Sequence, residues 1–206
     1  MGISQRRERE REQRRKDILD AARSLFWKKG YDGTTIPAIA KAAELAPGTL
    51  YLYFTNKDSL YVELLLEGYE KLRENLIAAA GSHSSPADQA EAVIDGFFDF
   101  ARQSPEYFDI IFFVIQKDRD GGWGETFDQG QLRKLESRLD SCKAIAANVL
   151  KKLDIRATTQ EINRSVDAVW TMLAGVVFFF RRKEEADAFA VMAAEAKKLI
   201  LRGLLQ

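Results

Sequence analysis

The sequence predicts an all-α chain of about nine helices. Three observations carry this: apolar residues recur every three or four positions almost throughout, no stretch shows the period-2, β-branched pattern of a strand, and the breaks between apolar runs hold helix-capping residues. With 46% hydrophobic and 11% aromatic residues over 206 positions, there is ample material for a packed core. Charge divides the chain: residues 1–57 carry 12 Lys/Arg against 7 Asp/Glu, and the rest carry 19 against 24. A basic head joined to an acidic body suits a head that meets a polyanion, although Arg6, Arg7, Arg9, Arg11, Arg14 and Arg15 alternate with Glu8, Glu10 and Glu12, which equally describes a solvated helix of mixed charge.

Taken in order, Ile18, Ala22, Leu25 and Phe26 form the stripe of a first helix that ends at Gly30, with Lys28 and Lys29 suited to the negative end of its dipole. Tyr31-Asp32-Gly33 makes a turn, after which Thr34 or Thr35 caps a short helix tolerant of Pro37 in its first turn and ending near Ala43. Pro47 opens a third helix, and Thr55-Asn56-Lys57-Asp58 supplies the capping atoms of a long fourth one. Gly81 to Pro86 is a turn-rich loop. Later breaks at Ser104-Pro105, Asp118–Gly124 and Asp154–Thr159 give helices of roughly 87–103, 105–117, 125–152, 159–182 and 184–204.

Two short helices joined by a tight turn can place the second in a major groove about 12 Å wide while the first crosses above it. The interior this requires is small and apolar, and Ile36, Ile39, Ala40, Leu45 and Leu50 supply it. Candidate DNA-contacting residues are Thr34, Thr35, Pro47, Gly48, Thr49, Tyr51, Tyr53 and Lys57. Thr49 can bond a base edge or set its methyl against that of thymine; Tyr53 and Lys57 suit phosphates at the groove edge. An ordinary helical hairpin with surface tyrosines is the alternative on these residues alone.

The segments LDAARSLFWKKGYDGTT, IAKAA and GTLYLYFTNKDSL follow one another between Ile18 and Leu64, and this stretch resembles the N-terminal domain of the TetR family of transcriptional regulators. The resemblance implies a helix-turn-helix over residues 35–54, with Thr35, Gly48, Thr49, Tyr53 and Lys57 at positions that commonly approach DNA. It also implies a DNA-binding domain at 1–66, including the basic arm, followed by an effector-binding and dimerisation domain at 67–206. Two departures stand out: Glu44 occupies the place of the usual turn glycine, and Ala46-Pro47 replaces a polar cap. No Arg, Asn or Gln lies between Pro47 and Phe54, so the strong bidentate pairings with guanine and adenine are absent, and methyl contacts, shape readout and phosphate anchoring are left to share specificity.

In the C-terminal half, Ile162, Val166, Val169, Trp170, Leu173, Val177 and Phe180 form one stripe of a helix, and Ala168, Met172, Gly175 and Phe179 a second. A helix apolar on two faces needs two burial partners. One is this chain's own core; the other is either more of that core or the same helix of a second subunit. With Met192, Ala196, Leu199 and Ile200 of the last helix, Met172, Gly175 and Phe179 make a candidate four-helix homodimer interface, which the family resemblance also implies. The need to read a palindrome favours the dimer.

An aromatic cluster lies between these regions. Phe97, Phe98, Phe100, Phe108, Phe112, Phe113, Trp123, Phe127 and Trp170 are candidates to line a pocket for a small apolar or aromatic effector, with the Trp123 loop as its entrance; each ring taken singly reads more readily as plain core. No cofactor or metal site is expected, since Cys142 and His83 stand alone and far apart, and the DRDGG run lacks a calcium loop's ligands. No nucleophile motif or phosphate loop supports an enzyme or carrier. The longest apolar run, Met172–Phe180, is shorter than the roughly 20 residues a membrane span needs, so a cytoplasmic protein is expected. The function expected is a ligand-responsive repressor released from a palindromic operator, the alternative being a constitutive or activating regulator with no pocket.

Overall fold

The computed structural model describes residues 3–111, 127–154, 156–180 and 186–204, and every regular element among them is an α-helix. In order these are α1 (Ile3–Lys29), α2 (Ile36–Ala42), α3 (Pro47–Leu50), α4 (Lys57–Gly81), α5 (Pro86–Gln103), α6 (105–111), α7 (Gln129–Leu153), α8 (Thr159–Phe180) and α9 (Ala186–Leu204). The chain forms two compact units: residues 1–67 with 106–132, and residues 68–105 with 133–206. The first unit thus ends one residue past the expected boundary at 66, but it also takes in α6, which lies in the second domain as the sequence divides it.

In the first unit, Ile18, Ala22 and Phe26 are the buried stripe of α1, while residues 5–14 are exposed and carry the Arg6–Glu10 pair at 2.9 Å. The arm is therefore helical and exposed. Gly30 takes φ 71° and returns its N–H to Phe26 O at 2.8 Å, an αL termination. Gly33 is required for a different reason: a Cβ there would lie 2.3 Å from the Lys29 carbonyl oxygen. Thr35 caps α2 by accepting from Ala38 N, and Asn56 and Ser59 cap the start of α4 reciprocally, Ser59 N donating to Asn56 Oδ1 at 2.7 Å.

Under these turns, Ile36, Ile39, Ala40, Leu50, Phe54, Leu60, Tyr61 and Leu64 form the core, joined by a Phe26–Tyr31–Tyr61 aromatic trio. Polar bonds explain why α6 belongs here. Glu67 accepts from the Arg23 guanidinium at 3.1 Å and from the Tyr107 hydroxyl at 2.6 Å, Tyr61 donates to Ile110 O at 2.9 Å, and the Trp27 indole donates to Asp109 at 3.0 Å. Sequence periodicity carries no trace of such long-range pairings.

The second unit stacks α8 on α9 and α5 on both. Leu150, Ile162 and Val166 centre one part of its core, and α4 meets α7 through Cys142, whose thiol donates to Tyr69 O at 3.3 Å. Lys197 ties α9 to Glu91 and Asp95 of α5 at 2.9 and 3.1 Å, and Lys143 ties α7 to Asp167 of α8 at 2.7 Å. α7 begins at 129 and not 125, because Asp128 and Gln131 cap it reciprocally at 2.8 and 3.0 Å. By length and composition α8 is long and apolar enough to cross a membrane, and Ile162, Val166, Leu173, Val176 and Val177 are its buried residues in this unit.

Burial holds the Tyr61, Tyr69 and Tyr107 hydroxyls above the ordinary tyrosine range, the Glu67 hydrogen bond adding to the effect at Tyr107, and it pushes the Cys142 thiol up to about 12. Above about pH 9 the unfolded chain releases these protons while the fold retains them, so the unfolded state binds fewer protons and stability falls as pH rises. The urea midpoint is expected to stay level from about pH 7 to 8 and to decline above about 9. A midpoint still level at about pH 11 would contradict the burial of these groups.

Candidate nucleic-acid interface

α2, its turn and α3 present the candidate reading surface. Leu45 N bonds Ala40 O at 2.8 Å and Glu44 N bonds Lys41 O at 3.2 Å, closing the turn. Glu44 holds φ 56°, so this side chain accepts the left-handed conformation that the family's glycine would adopt at no cost. Glu44→Gly is expected to stabilise the protein by about 1 kcal/mol, the relief of αL strain less the added freedom of an unfolded glycine. A lowered urea midpoint in that variant would show that the Glu44 side chain contributes a contact outweighing the strain.

Pro47 starts α3, and Ala46 gives no side-chain cap. The helix is short: four residues are regular, and the chain continues through Leu52 N to Thr49 O at 3.1 Å and Tyr53 N to Leu50 O at 2.9 Å, the tighter three-residue spacing. Leu50 and Phe54 face the core and anchor this stretch. Arg15 lies over the Phe54 ring at 4.5 Å and pairs with Glu63 at 3.0 Å, holding α1 against it.

Six of the eight candidate DNA-contacting residues are accessible. Thr35, Pro47, Gly48 and Tyr51 are exposed, and Thr49 and Tyr53 are half-buried on the same stretch. Thr34 is not available: it is 1% exposed, and its hydroxyl donates to Gly30 O at 2.8 Å, closing the α1–α2 turn. A threonine beside a cap reads as a cap or a contact with equal ease; the turn carbonyl decides it. Lys57 also differs from expectation. Its ammonium donates to Tyr31 O at 3.0 Å and sits 3.9 Å from the Tyr31 ring centroid, while the Tyr31 hydroxyl donates to Asp58. Lys57 thereby ties the α1–α2 turn to α4.

Leu52 was not among the candidates. It is exposed, and the signal for it was in the sequence: within the apolar run Leu50–Phe54 only the i, i+4 pair can face one core, which turns Leu52 outward.

In the second unit the aromatic candidates separate. Phe97 and Trp170 pack edge to face at 5.1 Å and line a cavity of about 40 Å³ with Leu76, Val93, Ile94 and Val166 among its other walls, all apolar. Phe98 and Phe100 are buried but do not line it, Phe98 packing on Phe189 at 5.8 Å. Phe108 and Phe127 are buried in the first unit. Phe112, Phe113 and Trp123 lie outside the described residues.

Of the candidate interface residues, Met172, Phe179 and Leu199 are exposed, at 42%, 68% and 52%, and the backbone at Gly175 is open. Ala196 and Ile200 are buried in this chain's own core and leave the list, while Met192 is half-buried. Phe178 and Val191, not foreseen, are exposed beside them.

Residues 18–64 match the family described as bacterial regulatory proteins, tetR family. Over 60 residues the chain is 43% identical to the transcriptional repressor KstR of Rhodococcus jostii (strain RHA1), covering 29% of this chain and 28% of that one. The chain therefore spans under a third of that relative's length. Over the whole fold it is similar to a tetR-family regulatory protein from Rhodococcus RHA1 (TM-score 0.74, 18% identity, 92% of this chain and 95% of that one). It is also similar to FadR of Bacillus subtilis, solved with stearoyl-CoA (TM-score 0.73, 17% identity, 91% and 97% covered). Residues 18–64 thus carry the sequence match to the tetR family of bacterial regulatory proteins, and the chain as a whole shares the all-helical fold of solved structures described as members of it.

Proposed function

We propose that this chain is a dimeric DNA-binding transcriptional regulator, a repressor released from a palindromic operator by a small apolar effector. The observation that carries the reading is the exposed Thr35–Pro47–Gly48–Thr49–Tyr51 surface over a fully buried Ile39–Ala40–Leu50 core. That arrangement commits a rigid, hydroxyl-bearing face to solvent beside a basic arm, as groove binding requires. Two copies joined through α8 and α9 would present two such faces to a two-fold site.

For the effector, the lining around Phe97 and Trp170 offers no polar group, so a ligand there is held by apolar contact alone. A cavity of about 40 Å³ is smaller than the roughly 150 Å³ that admits a benzene ring, which favours a thin hydrocarbon chain that parts the side chains over a preformed aromatic slot. A long acyl group is the first candidate, in keeping with the stearoyl-CoA bound by the similar FadR. The same small volume also favours a second reading, a constitutive regulator with a filled core.

Selection of bound duplexes from a random pool, followed by titration with palmitoyl- and stearoyl-CoA, tests both parts. Enrichment of a palindrome and its release by acyl-CoA is the result expected. A palindrome unaffected by acyl-CoA and by a wider apolar panel would establish the constitutive reading, and a pool that never converges would overturn regulation by sequence-specific binding.

A further inference from the structure

Leu52 is 76% exposed, the most exposed large apolar side chain among the described residues. Its immediate neighbours in the core are served by Leu50 and Phe54, so nothing inside the protein requires an apolar group here. The bond from Leu52 N to Thr49 O at 3.1 Å gives a three-residue spacing, which stacks side chains 49 and 52 on one face. Gly48 lies four residues before Leu52 on the same side, and a Cβ built there meets nothing within 4 Å. The exposed face of the reading element is therefore an unobstructed backbone flanked by the Thr49 methyl and hydroxyl and the Leu52 isobutyl group.

Among the groups displayed by the major groove, the 5-methyl of thymine is the largest apolar one; apart from the small C5–H of cytosine, the other groups are hydrogen-bond donors or acceptors that leucine cannot satisfy. Phosphates offer Leu52 nothing either. We propose that Leu52, stacked over Thr49, reads thymine 5-methyl groups and is a specificity-determining residue of the DNA-reading surface. The proposal rests on the DNA-regulator reading above. It gives this element, which has no arginine or amide, a positive means of choosing sequence: burial of a side chain that is otherwise left in water. Bases other than thymine at that step would leave the leucine against polar edges.

The test uses the full-length protein and the palindrome recovered from the random pool, with each thymine in turn replaced by deoxyuridine, which removes the methyl and keeps every hydrogen bond. At one thymine per half-site the wild type should bind about fourfold more weakly per lost methyl, as expected for one buried methylene. Leu52→Ala should bind thymine and uracil operators equally while keeping its melting temperature, the side chain being exposed. Leu52→Gln, selected afresh, should exchange thymine for a base with a hydrogen-bonding edge at that step, adenine being favoured. Wild-type binding indifferent to every deoxyuridine would overturn the proposal and leave the regulator reading standing. Equal methyl sensitivity in wild type and Leu52→Ala would assign the methyl to another residue and overturn it as well. A pool without a converged sequence would remove both together.

Discussion

Phe97→Ala is expected to lower the free energy of unfolding by about 4 kcal/mol, within the range for deleting a buried phenyl ring. The cost should fall at the high end for three reasons. Phe97 is 2% exposed, its ring meets Trp170 edge to face at 5.1 Å and Phe98 at 6.2 Å, and the position already borders the 40 Å³ cavity. Removing the ring enlarges a space whose rigid helical walls cannot close, so both the transfer loss and the void remain. Roughly 10 °C of melting temperature should be lost. The same substitution should gain something: an apolar void of aromatic size binds small aromatics, so indole or benzene should restore part of the stability of Phe97→Ala and none of the wild type's. Denaturation with and without ligand measures both effects. A loss below about 1 kcal/mol with no rescue would mean that the walls collapse, and the cavity would lose its standing as an effector site.

The difference between what was legible in the sequence and what was not follows the range of the interactions. Helices α1 to α5, α8 and α9 are marked by local events: the αL glycine at Gly30, the proline at Pro47, and the apolar stripes of α1 and α8. Such signals act within one or two turns and survive in a linear reading. The membership of α6 in the first unit depends on Tyr107 and Glu67, 40 residues apart, and on Tyr61 and Ile110, 49 apart, which no periodicity records. The partners of individual polar side chains are hidden for a similar reason. Thr34 and Lys57 have side chains typical of DNA contacts, but the Gly30 and Tyr31 carbonyls capture them first. Leu52 was passed over because an apolar residue in an apolar run reads as core until its neighbours have claimed the core. Density along the chain likewise does not say which rings share a wall: Phe97 lines the cavity of the second unit, Phe98 and Phe100 are buried without lining it, and Phe108 and Phe127 belong to the first unit.

On the proposed dimeric reading, Phe179→Asp should give a monomer and weaken operator binding by a factor of about 100 or more, the loss expected when two linked half-site contacts become independent. Phe179 is 68% exposed at the end of α8, with Phe178 packed edge to face against it at 5.1 Å and Met172 two turns back. On α9, Val191 and Leu199 are exposed at 66% and 52%. Large apolar side chains left exposed on two helices that pack together are costly unless covered. Gly175 between Met172 and Phe179 leaves the helix backbone open to close approach by an equivalent helix, and an isologous pairing brings each α8 onto its copy. Placing a carboxylate on that two-fold contact sets like charges together in an apolar surface, which the dimer cannot accommodate. Because the side chain is exposed within one chain, the monomer should keep its helical content, and each head should still contact a half-site at high concentration. Sedimentation at micromolar protein reads the assembly directly. A Phe179→Asp protein that remains dimeric would move the interface elsewhere; a monomer that binds the full palindrome as tightly as the wild type would instead separate DNA reading from two-fold assembly.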